Sequence, residues 1–182
     1  DAQVLAETEG RFNDLRFSTD GSKFFLEDLK EGERRILAYN LSAGSPVETE
    51  LTRYDPDNVI ALPGELLTRQ DVNGITSTVT SSDGTSVYLR GSGFREQFTP
   101  QPFIDRVDIA TGATTRIFEG TDNAFDQPLV VLDDDLNRMI VSREMSSVVP
   151  DSYLWTVDGT WENLTRNIDP YPELSSVQRV DF

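Results

Sequence analysis

This chain of 182 residues contains no cysteine and no histidine, and of its 16 basic residues only Lys23 and Lys30 are lysines. Without cysteine there is no disulfide, thiolate metal site or cysteine nucleophile, and no trace of the redox compartment. Without histidine, a Ser-His-Asp triad cannot be completed from these residues, whatever their serines do. The 32 acidic residues leave a formal net charge of −16, which keeps the chain self-repelling and opposes binding to nucleic acid or anionic lipid. No apolar run approaches the roughly 18 residues of a membrane span. No basic, apolar and small-residue leader opens the sequence, so neither a span nor an export signal is expected within it.

Familiar catalytic signatures are missing as well. Gly84-Thr85-Ser86-Val87-Tyr88 begins like a nucleophile elbow but lacks the second glycine. Neither lysine follows the glycines of a phosphate loop. Asp133, Asp134 and Asp135 form the densest acidic cluster. They lack the D-x-D-x-D-G spacing of a calcium loop and read as a solvated turn, with a hard-cation site as the alternative. With 32 carboxylates, some pair falls at glycosidase distance by chance, so paired acids select nothing. Trp155 and Trp161 flank Gly159 on neighbouring strands, where cross-strand packing accounts for them. Asn40-Leu-Ser and Asn163-Leu-Thr match the glycosylation sequon but fall within hairpins. No catalytic, cofactor-binding or metal-ligating residue is nominated, and no cofactor is expected.

What the sequence does contain is repetition. FSTDGSKFFLED, SSDGTSVYLRG and LDDDLNRMIVSRE each open an apolar strand with an acidic turn, and each is followed by a second pair of strands. Asp20, Asp83 and Asp135 mark the turns at separations of 63 and 52 positions, a loose period of the kind found in propellers. Phe24 to Leu26, Val87 to Leu89 and Met139 to Val141 then read as buried strands. Ile36 to Leu41 with Val47 to Leu51, Ile104 to Ile109 with Thr114 to Phe118, and Tyr153 to Val157 with Trp161 to Leu164 read as hairpins, turning near Gly44, Gly112 and Gly159. An inner strand is expected before each acidic turn, at Phe12 to Phe17, Ile75 to Thr80 and Leu129 to Leu132.

Four strands per unit is the number in a propeller blade. The expected fold is all-β, a partial β-propeller of about three four-stranded antiparallel blades. Residues 1–10 form a lead-in. Blades occupy 11–55, 71–120 and 124–166, with a connecting surface loop at 56–70 where Pro56 and Pro63 oppose a central strand. Residues 167–182 read as a linker and the start of a new strand, Val177 to Phe182. Almost no helix is expected; LEDLKEGERRIL is charged enough for one turn, but Gly32 interrupts it. Three blades are fewer than the four to eight of a closed ring, so the chain reads as a segment of a longer protein. Its open blade edges are expected to favour self-association. The loop GSGFREQFTPQP at 91–102 is the most suggestive non-repeat stretch. Arg90 or Arg95 would be available there to an acidic side chain, unless the phenylalanines cover a blade edge and the arginines answer the acidic surface.

IDRVDIATGATTRIFEG, LTRN and above all DPYPEL followed by VQRVDF resemble the propeller, and the propeller-to-hydrolase junction, of the prolyl oligopeptidase family of serine peptidases, particularly its glutamyl endopeptidase-like bacterial members. The resemblance covers nearly the whole chain. It implies a propeller over an α/β-hydrolase domain that screens substrates by size, with serine, aspartate and histidine downstream of Phe182. On that footing the partners would be the protein's own hydrolase domain and a peptide substrate, and periplasm and cytoplasm both remain open. Two other readings stand beside it: a stand-alone β-propeller that binds proteins, and an all-β glycoside-cleaving enzyme using two carboxylates.

Overall fold

The computed structural model describes residues 4–42, 46–95, 100–122, 124–145 and 148–173. The first sheet takes strands β1 (Arg11–Phe17), β2 (Lys23–Lys30), β3 (Glu33–Asn40) and β4 (Val47–Tyr54) in chain order, all antiparallel. The third repeats this order with β11 (Phe125–Val131), β12 (Arg138–Met145), β13 (Val148–Thr156) and β14 (Trp161–Asn163). Between them the second sheet runs β5 (Glu65–Leu66), β8 (Ser86–Gly91), β9 (Phe103–Asp108) and β10 (Thr114–Glu119) from inside outwards. These are three blades of an all-β fold, as expected from the repeats.

Blade faces are dry because their strands are apolar on both sides. On β2, Phe25 points towards the second blade, joining Ile36, Ala38, Leu51, Val87, Leu89 and Val107 in one core. Its neighbours Phe24 and Leu26 pack on the other face with Leu37 and Tyr39, against Ala6 of the lead-in. A second interblade core gathers Tyr88, Ile104 and Phe118 with Leu136, Met139, Val141 and Trp155 of the third blade. Phe118 meets the Trp155 ring edge-on at 5.4 Å.

The charged stretch LEDLKEGERRIL holds no helical turn. Lys30 ends β2, Glu33 begins β3, and Glu31 (φ 56°) with Gly32 (φ 89°) makes the two-residue turn between them, the left-handed pair whose twist matches a hairpin. Its charges serve the sheet. Asp28, with a side chain 0% exposed, lies directly across from Arg35, 9% exposed, which donates to it from Nε at 2.8 Å. Each of the other blades holds one such directly opposed pair, Arg116 on Asp105 and Arg143 on Asp126. Arg143 also lies 4.0 Å over the Trp161 ring. In each pair the guanidinium neutralises a carboxylate that packing would otherwise strand, which for Asp28 is the packing of the lead-in at Thr8 and Gly10.

The first two acidic turns share one bonding scheme. Asp20 accepts from the Ser18 hydroxyl at 2.7 Å and the Ser22 N–H at 3.0 Å; Asp83 accepts from the Ser81 hydroxyl at 2.6 Å and the Thr85 N–H at 3.0 Å. These bonds, the serine hydroxyl first in each case, hold both carboxyls at about 2, against an ordinary value of 3.8. A depressed folded pKa stabilises the fold above the unfolded value, and that contribution disappears as pH falls from about 4 towards 2. The double variant Asp20→Asn with Asp83→Asn should therefore show a flatter fall in urea midpoint over that interval; a curve parallel to that of the unaltered chain would refute the assignment.

The inner strand of the second blade departs from expectation. Of Ile75 to Thr80, only Val79 and Thr80 reach the blade, where Thr80 bridges Val87. Its upper part is Glu65 to Leu67, with Leu67 bonded to Tyr88, so the stretch expected as a surface connection places Leu66 and Leu67 in the two cores. Pro56 and Pro63 lie upstream and leave this short strand free. Between Leu67 and Val79, whose N–H closes the neck on the Leu67 carbonyl at 2.9 Å, the chain makes an excursion as the hairpin β6 (Thr68–Gln70) and β7 (Thr76–Thr78). The hairpin touches the first blade through Ser18–Thr78 and Thr19–Ser77, and the third through Arg69–Asp134 at 2.7 Å. Val72 and Ile75 stand exposed at its tip.

Candidate functional site

All three inner strands, β1, β5 and β11, line a cleft of about 880 Å³, closed on one side by residues of the 56–64 segment and of the loop after β8. Charged and polar residues line it beside the cores. Glu27, Arg34 and Tyr54 come from the first blade, Glu65 and Arg90 from the second. Alternation fixes this: Arg34 shares a face with Ile36 and Ala38, so the face that is apolar in the interblade core ends in an arginine where the blades part.

Glycines keep the cleft open. At Gly64 (φ 90°) a Cβ would stand 2.5 Å from the Arg90 carbonyl oxygen, and at Gly93 (φ 60°) 1.9 Å from that of Gln101. Backbone therefore packs on backbone along this wall, where any side chain would push the strands apart.

Among the described residues nine cations form ion pairs, whereas Arg11, Lys23, Arg34, Arg90, Arg106 and Arg166 form none. Arg16 pairs with Asp14 at 2.8 Å within the cleft, and Arg95, with Asp122 at 2.5 Å, lies outside it. Arg34 is bonded to Tyr54, whose hydroxyl is pushed up by burial and by the Glu27 charge and held down by Arg34 itself. Glu27 accepts from Asn13 at 3.2 Å. Arg90 lines the cleft with no hydrogen-bond or ion-pair partner among the described residues; Glu65, its opposite number in the sheet, forms no ion pair. Of the two arginines singled out beside the 91–102 loop, Arg90 faces the cleft and Arg95 answers surface acid. Phe94 lines the cleft and bridges Pro100, while Phe98 lies outside the described residues. Arg34 was not anticipated; the signal for it, one arginine in register with core positions of the same strand, emerges only once the strand is placed.

The aspartate cluster disperses its carboxylates. Asp133 accepts from the N–H groups of Asn137 and Arg138, Asp134 pairs with Arg69, and Asp135 crosses to the Ser82 N–H and hydroxyl at 3.0 and 2.7 Å. Among the described residues no group of acidic side chains is arranged to hold a metal ion, and no helix is long and apolar enough to cross a membrane. The hydroxyl of Tyr88 is buried without a partner among the described residues and is pushed up to about 12 by that burial. Of the linker expected from residue 167, positions 167–173 are described and form no strand, Asn167 bonding to Asp151 and the Pro150 carbonyl, whereas the strand expected at Val177 to Phe182 lies outside the described residues.

Three successive four-stranded antiparallel blades, with their inner strands around one cleft, define a segment of a β-propeller. The chain is similar to the probable glutamyl endopeptidase, chloroplastic, of Arabidopsis thaliana, at 28% identity over 97% of the chain and 20% of that protein. It thus spans about a fifth of the length of the curated relative it matches. Among solved structures it is similar to the β-propeller domain of the Trilobed protease from Pyrococcus furiosus (15% identity, TM-score 0.49, 87% of this chain and 44% of that one) and to an acylaminoacyl peptidase (14% identity, TM-score 0.34, 87% and 33%). No family model matches. The curated likeness agrees with the resemblance to glutamyl endopeptidase-like members of the prolyl oligopeptidase family that the sequence carries.

Proposed function

We propose that this chain is a non-catalytic, substrate-gating propeller segment of a serine peptidase whose α/β-hydrolase domain lies elsewhere in the protein. The observation that carries this reading is the likeness along 97% of the chain to a fifth of a glutamyl endopeptidase. The cleft among the inner strands supports it, because a propeller scaffold presents its axis to whatever passes through it. With no histidine in the chain, the blades bind and screen while another domain supplies nucleophile and base.

A serine-hydrolase activity probe applied to this chain, and to the same chain extended past Phe182 by its own gene, tests the reading. Covalent labelling of the extended protein alone is the expected result. Labelling of neither would favour a stand-alone protein-binding scaffold.

A further inference from the structure

We propose that the β6–β7 hairpin is an axial arm whose tip, Val72 and Ile75, seats on apolar side chains of further blades of the same protein across the propeller axis, barring the axis at the acidic-turn end. It rests on the reading of these blades as part of a larger ring, and not on the chemistry of a peptidase.

The arm's direction follows from where it is inserted. It interrupts the inner strand of the middle blade between Leu67 and Val79, and the inner strand of a propeller blade is the one that faces the axis. Thr68 at its root lines the cleft among the inner strands. On one side Thr78 bridges Ser18 and Ser77 meets Thr19, just past the end of β1; on the other Arg69 reaches Asp134, just past the end of β11. Held at both flanks, the arm lies over the acidic-turn ends of its neighbours' inner strands. It points to where the remaining blades of a ring must stand, since three blades are too few to close one.

Its polarity is inverted for a hairpin that faces only water. Both strands are polar, Thr68-Arg69-Gln70 and Thr76-Ser77-Thr78, whereas the turn carries Val72, fully exposed, and Ile75, 64% exposed. The turn is also preformed. The Asp71 carboxylate accepts from the Asn73 and Ile75 N–H groups at 2.8 and 2.9 Å, the Gly74 N–H donates to the Asp71 carbonyl at 3.1 Å, and Gln70 Nε2 donates to the Gly74 carbonyl at 3.0 Å. A turn already fixed in this way loses little conformational freedom on docking, and its two apolar side chains gain by leaving water. Two copies of a chain with a net charge of −16 repel each other, whereas blades of one polypeptide meet the tip at a high effective concentration.

The 182-residue chain contains no cysteine, so a thiol placed at the tip is a specific reporter. Val72→Cys is introduced into this chain and into the whole protein encoded by its gene, both are treated with a maleimide, and labelling of the peptide that holds position 72 is followed by mass spectrometry. Labelling should be at least about tenfold slower in the whole protein than in the 182-residue chain, as burial of the thiol requires. Ala110→Cys, exposed on the turn between β9 and β10 of the same blade, should label at one rate in both. Val72→Asp with Ile75→Asp should lower the melting temperature of the whole protein and leave that of the shorter chain unchanged. Equal labelling of position 72 in the two proteins would overturn the proposal, as would protection that arises in the shorter chain by itself and grows with its concentration, which would make a second copy the partner. Neither readout uses catalysis, so failure here leaves the peptidase reading intact, and a whole protein that takes no serine-hydrolase probe can still protect the tip.

Discussion

Replacing Arg35 by methionine is expected to lower the unfolding free energy by about 3–5 kcal/mol, the usual cost of leaving one partner of a buried ion pair alone. Asp28 has nowhere to go. Its side chain is fully buried, its carboxyl is held low chiefly by Arg35, and the remaining neighbours, the Thr8 hydroxyl and the backbone at Gly10, supply hydrogen bonds but no positive charge. Removing both charges together, as Asp28→Leu with Arg35→Met, should recover most of the loss, because the desolvation penalty then vanishes with the attraction. Urea unfolding at neutral pH measures all three proteins. A double variant as unstable as the single would show that shape, rather than charge, sets the cost. Arg143→Met should cost less, since Arg143 is 21% exposed and water can reach Asp126 once it is gone.

Gly93→Ala should destabilise the chain by about 2–3 kcal/mol, well beyond the usual glycine-to-alanine effect, since strain and overpacking add. The left-handed backbone at φ 60° already disfavours a side chain, and the added methyl would stand 1.9 Å from the Gln101 oxygen and 3.1 Å from the Phe103 ring. The strand end at Gly91 and the loop beyond must move apart, and Phe94 and Pro100, which bridge across that loop, move with them. Gly159→Ala is the control: its φ is 86°, but nothing lies within 4 Å of the new methyl, so only the conformational part, on the order of 1 kcal/mol, remains. Thermal denaturation of the pair separates the two contributions, and equal shifts would mean that the close approach at Gly93 relaxes at no cost.

The repeat was legible because Asp-Gly turns and apolar triplets announce themselves locally. Asp20 and Asp83 accept bonds from serines two residues before them, so their sequence signature and their physical role coincide. In the third turn they separate. Leu136 takes the left-handed position of Gly21 and Gly84 at φ 52°, yet Asp133 makes the local backbone bonds and Asp135 serves the preceding blade. Nothing in LDDDLN distinguishes these roles before the blades are side by side. The same limit hid the three aspartate–arginine pairs, which exist only through cross-strand register: within LEDLKEGERRIL the charges suggested at most one helical turn, while the hairpin at Glu31-Gly32 folds Asp28 onto Arg35. Leu66 and Leu67 were obscured because their strand is too short to show alternation and because a hairpin interrupts it. The cleft, formed by residues from all three blades, had no local signature beyond the flagged loop with Arg90.

That interrupting hairpin also alters how the array holds together. A row of blades in which each touches the next behaves as a one-dimensional chain of coupled units, where loss of an end unit leaves the others nearly indifferent. By reaching Ser18 and Thr19 on one side and Asp134 on the other, the β6–β7 excursion adds a coupling between second neighbours. The first and third blades should then sense each other's opening through the middle one's inserted arm, a link that favours cooperative loss of structure over peeling from either end.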